Sequence, residues 1–403
     1  MLSFAFPEAG GGPPLWRSTC ALRLASHLAP LRGAILAFAI ASTLGCGDRP
    51  GGSLGVGAPS LVPLPPVLIH EPEGQVIGNS VFLARSGTGD LYLTDVERQS
   101  VLRFSSSGSY LGRFGRSGSG PGEFQLPTVA SVLDDSLLVV ADVALSRLSI
   151  FSIPSQDFRR SVSLPVPDIG QTFNYMGGDV YFAAHLAVPS VVGWRLADDS
   201  VWTLGATPAS ILARPEAAVR HGRSDVVVSR NRLLVLTPTA NGLRILNLSG
   251  ALLGTVRIPA TRRRGTPDDL IERQLAQHRK GGRLRFQPAG SSSVMLGALP
   301  TGEIVIVYLD VDLVASGPRN RFSHFRYYVT VLKEDMETAC IDALVQTDAD
   351  LISLPVMSEG VLYLFLRTVL PNDSVEAKVA GYRIALDHCR WVTTGGMRPP
   401  ADP

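Results

Sequence analysis

A chain of 403 residues has room for one large all-β domain or two ordinary ones, and with 45% apolar and 18% charged residues it can bury a sizeable core. Its formal net charge is only +2, so no global field draws it toward nucleic acid or an anionic membrane surface. Gly at 40 and Pro at 29 suit a fold with many tight turns, and nothing indicates disorder beyond the N-terminal stretch.

Residues 1–45 read as a signal peptide. Arg17, Arg23 and Arg32 precede the apolar run Ala34-Ile-Leu-Ala-Phe-Ala-Ile-Ala41. That run is far shorter than the roughly 20 residues a membrane-spanning helix needs. Thr43-Leu-Gly-Cys46 resembles a bacterial lipobox, in which the cysteine becomes the lipidated first residue. Thr43 stands where leucine is usual, with Leu44 one place late, and ordinary cleavage nearby with Cys46 a bystander is the plainer alternative. The leader is long, and a start downstream of Met1 would shorten it. Cleavage before Cys46 removes three Arg and one Glu and leaves a formally neutral chain. Residues 46–66 are Gly/Pro-rich without periodicity and are expected to form a flexible tether.

From 67 to 396 the pattern is strand, turn, strand, with few helix signals. Asp90-Leu-Tyr-Leu-Thr-Asp95 and Val101-Leu-Arg-Phe104 return as Ser136-Leu-Leu-Val-Val-Ala-Asp142 and Leu148-Ser-Ile-Phe151. Asp95 to Asp142, Val101 to Leu148 and Phe104 to Phe151 are each 47 residues apart, a period that marks a β-propeller. Six blades are expected. Blade one uses 81–83, 91–93, 101–104 and 110–114; blade two uses 137–140 and 148–151 and closes near 158–164. Blade three has 179–183, 191–195 and 201–204; blade four has 226–228, 233–236, 243–246 and 252–256. Blade five has 294–296, 303–309, 327–332 and 340–345, and blade six has 351–356, 361–365, 379–384 and 389–392. Residues 67–70 offer the last blade a further strand that closes the ring, and 397–403 are expected to be a disordered tail. One helix interrupts the passage from blade four to blade five at about 267–279, where Thr266 caps, Pro267 opens and Gly281-Gly282 stops it.

If Cys46 carries lipid, Cys340 and Cys389 remain as an even pair in an oxidising compartment. On the outer strands of blades five and six they would sit where blades splay apart, against a Cα limit of roughly 7 Å for a bridge. A disulfide stays open, and the splaying favours two buried thiols.

The 118–127 turn Gly-Ser-Gly-Pro-Gly-Glu-Phe-Gln-Leu-Pro, with the repeated strands around it, resembles NHL repeats. The chain is similar to the bacterial six-bladed β-propeller lipoproteins built from them, with the close match confined to 88–152. The resemblance implies a binding or scaffolding role. Distant propeller relatives include metal-dependent lactonases and arylesterases, but no residue here matches their catalytic patterns.

Candidate sites are few. The 118–124 glycines lack the Gly-Lys-Ser/Thr ending of a phosphate loop and open no helix, so they read as turn residues supplying positive φ. Asp95 and Asp142 end second strands, where a ring of carboxylates around the channel would suit Ca²⁺; capping of the adjacent turn explains them equally well. Three long excursions, 259–292, 310–326 and 367–378, should crowd one face of the disc, either as a binding surface or as cover for strand edges. Within the first, Arg262, Arg263, Arg264, Arg273, Arg279, Lys280, Arg283 and Arg285 outnumber Asp268, Asp269 and Glu272, a local excess of +5. Arginines there would grip carboxylate or phosphate on an acidic glycan or lipid headgroup; the plainer alternative is a solvated helix face. The patch lacks interleaved aromatics, which argues against nucleic acid.

His70, His185, His221, His278, His324 and His388 show no metal-ligand spacing, and no Gly-x-Ser-x-Gly elbow is present. Asp310, Asp312 and His324 share one expected loop without a shown geometry. The expectation is an exported, lipid-anchored, monomeric six-bladed propeller that binds or scaffolds an envelope protein or glycan. The alternative is a metal-dependent hydrolase, lactonase- or esterase-like, using channel carboxylates.

Overall fold

Strands buried on both faces read as nearly continuous apolar runs, and six groups of such strands form the blades of a β-propeller in a computed structural model. The structure describes residues 57–71, 77–78, 81–185, 189–207, 224–237, 242–260, 262, 290–314, 321–347, 349, 351–370 and 374–400. All of them belong to the unit Gly52–Pro403. Among the described residues there is no helix, and the helix expected at 267–279 lies outside them.

Each blade is an antiparallel sheet whose strands run in chain order from the channel outward. Blade one is Val81–Arg85, Leu91–Asp95, Ser100–Phe104 and Tyr110–Phe114; blade two is Pro127–Leu133, Leu137–Asp142, Arg147–Ser152 and Phe158–Ser163. Blade three sets Asp168–Ile169 and Asn174–Met176 end to end along Asp179–His185, followed by Val191–Arg195 and Val201–Leu204. Blade four is Asp225–Ser229, Arg232–Leu236, Gly242–Asn247 and Leu252–Arg257; blade five is Gly290–Ala298, Ile304–Val314, Arg321–Leu332 and Thr338–Val345. Blade six sets Leu351–Ile352 and Val356–Ser358 on Val361–Val369, and then Val375–Ala385.

Alternation along each strand sends successive side chains into two different interfaces. In Leu91–Asp95 every residue is buried. Leu91 and Leu93 pack toward blade six with Phe365 and Val379, while Tyr92 packs toward blade two with Phe114, Phe124 and Phe151. Trp194 and Phe182 fill the interface of blades two and three; Tyr181, Leu233 and Leu246 that of three and four. Leu236 and Ile306 meet between blades four and five, and Val307 and Leu364 between five and six. Each such side chain contributes roughly 1.5–3 kcal/mol on burial, so stability is spread around a closed ring rather than held in one core.

The ring closes through the N-terminal segment. Ser60–Pro63 pairs antiparallel with Val375–Ala385, Ser60 opposite Ala385 and Pro63 opposite Tyr382, and Val67–Leu68 pairs with the same strand farther along. The propeller therefore begins before residue 67, and Ser60–Pro63 is strand rather than tether. Nor is 389–392 the outer strand of blade six, because that edge is already occupied. The chain instead turns back along the rim: Val392–Thr393 pairs with the outer strand of blade five, and Met397–Arg398, within the expected disordered tail, with that of blade four. Gly254 permits the latter approach, since a Cβ there would stand 2.5 Å from Arg398 O. These short pairings cover outer edges that would otherwise expose unpaired backbone.

Cys340 and Cys389 are joined in a disulfide, their Cα atoms 5.6 Å apart. The splaying that favoured two thiols does not apply, because Cys389 lies on the returning segment against blade five.

Candidate functional site

Antiparallel order places the second-to-third-strand turns and the connections between blades on one face of the disc. Asp95, Asp142 and His185 end second strands there, Asp225 opens the inner strand of blade four, and Arg244 lies near the start of that blade's third strand.

Asp95 and Asp142 are both fully buried. Asp95 accepts the Gly78 N–H at 2.8 Å, the Arg98 N–H at 3.0 Å and the Arg98 guanidinium at 3.2 Å. Asp142 accepts the N–H groups of Gln125, Leu126 and Leu145 at 2.7, 3.1 and 3.1 Å. Each carboxylate thus ties the turn after its own strand to the segment entering the blade, which is the capping arrangement. Among the described residues, no three His, Cys, Asp or Glu gather as a metal site.

Asp225 does the same across three blades. It accepts the Thr172 N–H at 3.1 Å and hydroxyl at 2.7 Å from blade three, its neighbour Val226 N–H at 3.0 Å, and the Leu296 N–H at 2.9 Å from blade five. The inner strand of blade three breaks between Ile169 and Asn174, and Gln171 in the gap donates to Val294 O of blade five at 2.7 Å. Burial outweighs these hydrogen bonds and raises the Asp225 carboxyl to about 6.

Above the apolar cluster of blades three and four lies a polar cap. Arg244 is 8% exposed and donates from Nη1 to Ser190 Oγ at 2.8 Å. Thr237, one residue past the end of the second strand of blade four, and His185, the last residue of that of blade three, are both buried, and His185 Nδ1 accepts the Ser224 N–H at 3.2 Å. Burial lowers the Arg244 pKa from its usual high value. Neither Arg244 nor Asp225 figured among the sequence candidates. Arg244 carries one signal, a cation inside the apolar strand Leu243-Arg-Ile-Leu246, yet Arg103 in Val101-Leu-Arg-Phe104 carries the same signal and pairs with Asp90 at 2.6 Å.

The excursions in blades five and six are mostly strand. Ile304–Val314 and Arg321–Leu332 continue one ladder, Asp310 opposite Arg326 and Asp312 opposite His324, so the two aspartates and the histidine are register neighbours rather than loop residues. In blade six, Val361–Val369 and Val375–Ala385 extend likewise to a pair at Val369 and Val375. β-branched and aromatic residues at 311, 314, 322 and 325 suit a ladder better than a loop. Of the basic cluster only Arg262 is described; its N–H donates to Asp342 at 3.2 Å, and Asp342 also accepts the Tyr308 hydroxyl. Burial and the Asp342 charge push the Tyr308 phenol well above its ordinary pKa. Arg263, Arg264, Arg273, Arg279, Lys280, Arg283 and Arg285 lie outside the described residues, as does Cys46.

The 118–124 run is a structural turn. Arg147 donates to the carbonyls of Gly120 and Glu123, both at 2.7 Å, and Glu123 accepts the Gly120 N–H at 2.9 Å. Gly115, at φ +70°, precedes it because a Cβ there would stand 2.1 Å from the buried Phe124 ring. The run offers no cradle of free N–H groups to a phosphate.

No family model matches the chain, and no curated protein matches it either. Solved structures do match. A member of the DUF4221 family from Bacteroides vulgatus superposes with a TM-score of 0.58 at 11% identity, over 84% of this chain and 99% of that one. A Bacteroides fragilis protein described as exported superposes with a TM-score of 0.52 at 10% identity, over 82% and 96%. At these identities the likeness is one of fold: the chain shares its six-bladed propeller with bacterial proteins.

Proposed function

We propose that this chain is an exported propeller, lipid-anchored through Cys46, that acts as a binding or scaffolding module at the bacterial cell envelope. Its first two blades would be NHL-like repeats, and the face of blades four to six its contact surface. The observation that carries the reading is the uneven height of that face. The central strands of blade five run 11 and 12 residues and those of blade six 9 and 11, against 5 and 5 in blade one. Among the described residues, the hairpin of blade five past Val311 and Tyr327 pairs with neither the inner nor the outer strand of its blade. Extra strand length does nothing for the ring, whereas a raised hairpin in the blade that follows the arginine-rich residues 262–285 in sequence suits an acidic protein or glycan. The fold likeness to a protein described as exported agrees with an envelope address.

Removal of residues 262–285 should abolish capture of envelope partners while the melting temperature holds. Cys46→Ser should release the protein from the membrane fraction. Unchanged capture by the deleted chain defeats the surface, and unchanged fractionation of Cys46→Ser defeats the anchor.

A further inference from the structure

We propose that the crevice between blades three and four binds a small oxyanion, a carboxylate or phosphate group, on the Arg244 guanidinium with the Thr237 hydroxyl as second donor. The proposal rests neither on residues 262–285 nor on where the protein resides.

Strand parity places both groups in one crevice. Arg244 stands opposite Val235 in the ladder, and Thr237 follows Val235 by two residues. Val235, Leu233 and Leu246 pack against Tyr181, Ala183 and Val191 of blade three, so their side of the sheet faces that blade. Thr237 stands one residue past the last ladder pair, Leu236 and Leu243, and continuing the parity of Val235 sets it diagonal to Arg244 at the connection-face end of the apolar interface.

The chemistry of that end is incomplete. Arg103, Arg160 and Arg195 each meet an aspartate, Asp90, Asp199 and Asp179, within 3.0 Å. Arg244 is buried to 8% exposure, and its one hydrogen bond among the described residues goes to the neutral Ser190 hydroxyl. A guanidinium carries five N–H donors in a planar fork, and a buried charge without a counter-charge costs several kcal/mol. Thr237 is 3% exposed, and its hydroxyl has no partner among the described residues. Burial of two polar groups with open donor capacity, beside a net positive charge, fits an oxyanion: it neutralises the guanidinium, accepts its fork bidentately and takes the hydroxyl hydrogen. A cation or an apolar ligand would leave all three unmet.

The test is thermal melting of the full chain in phosphate, acetate and chloride at matched pH and ionic strength. Wild type should gain a few degrees, saturably, in phosphate or acetate over chloride. Arg244→Met should melt above wild type in chloride, because an unpaired buried charge is gone, and should keep only the shallow rise that excluded salts give any protein. Thr237→Val, which preserves shape, should raise the half-saturating anion concentration several-fold. A response to phosphate alone or to acetate alone identifies the headgroup. Coincident wild-type curves in all three salts overturn the proposal, as does an anion response that Thr237→Val leaves untouched or that Arg244→Met retains in full. If Arg244→Met does not fold, the wild-type and Thr237→Val curves still decide.

Discussion

Cys340 on the outer strand of blade five and Cys389 on the returning C-terminal segment are bonded, 49 residues apart in the chain. The loop they close contains the two long strands of blade six, the blade that also receives the N-terminal strand. Beside the bond, Arg390 N–H donates to Gly57 O at 2.7 Å, so the segment that leads into the N-terminal strand and the returning C-terminal segment meet at this point of the rim. Closing a loop of that length stabilises by about 4 kcal/mol in the chain-entropy account. The paired substitution of Cys340 and Cys389 by Ser should lower the urea midpoint accordingly, and reductant should bring wild type down to the same curve. Superimposed curves for wild type and the double variant would show that the rim is held without the bond.

Ring closure makes a second, sharper demand on the N-terminal segment. A chain begun at residue 57 retains the ladder of Ser60–Pro63 on Val375–Ala385. A chain begun at 67 loses it together with Leu61, and so uncovers the part of the blade five–six cluster on which Leu61 packs. Blade six then exposes an edge, so this shorter chain should melt several degrees lower and aggregate more readily. Light scattering and melting of the two chains side by side check this; equal behaviour would mean that Val67–Leu68 closes the ring unaided.

The regular part of this fold was legible because it repeats. Asp95 and Asp142 recur at 47 residues because each clamps the entry to its own blade with hydrogen bonds from Gly78 or from Gln125 and Leu126. Strand spacing alone located the third to sixth blades. What escaped notice lacks periodicity: Val392–Thr393 and Met397–Arg398 are two residues each, too short for any alternation, and their partners are remote. Asp225 and Arg244 escaped for a different reason. A lone Asp or Arg in a strand looks the same whether a counter-charge sits beside it or not, and only packing of neighbouring blades reveals that Asp225 spans three of them.

Asp225 makes stability depend on pH in an unusual direction. Its carboxyl titrates at about 6 in the folded protein, above the ordinary value of 3.8. The native state therefore holds this proton more tightly than the unfolded chain does. Its contribution is full below pH ~4 and is lost as pH rises through about 6. Between those limits wild type should lose up to a few kcal/mol from this group as pH rises. Asp225→Asn removes the titration and flattens that stretch, while presenting an NH₂ to donors and so lowering stability at every pH. Urea midpoints from pH 4 to 7 for both proteins check the slope; parallel profiles would assign it to other groups.

Asp142 decides between capping and metal binding. Its oxygens are spent on three backbone N–H groups, and a cation could approach only by displacing them. Asp142→Ala leaves those donors unpaired at a buried turn, each at a cost of about 1–3 kcal/mol, so the melting temperature should fall by several degrees. On the capping account the fall is the same in millimolar Ca²⁺ and in chelator, and wild type melts identically in both. A rise of wild type with Ca²⁺ that Asp142→Ala abolishes would reverse the assignment. It would require the Gln125 and Leu126 N–H groups to turn away from the carboxylate on binding. Hydrogen exchange at those two amides separates the accounts even if the variant is too unstable to melt cleanly: capping keeps both protected with or without calcium, and metal binding exposes them only when calcium is present.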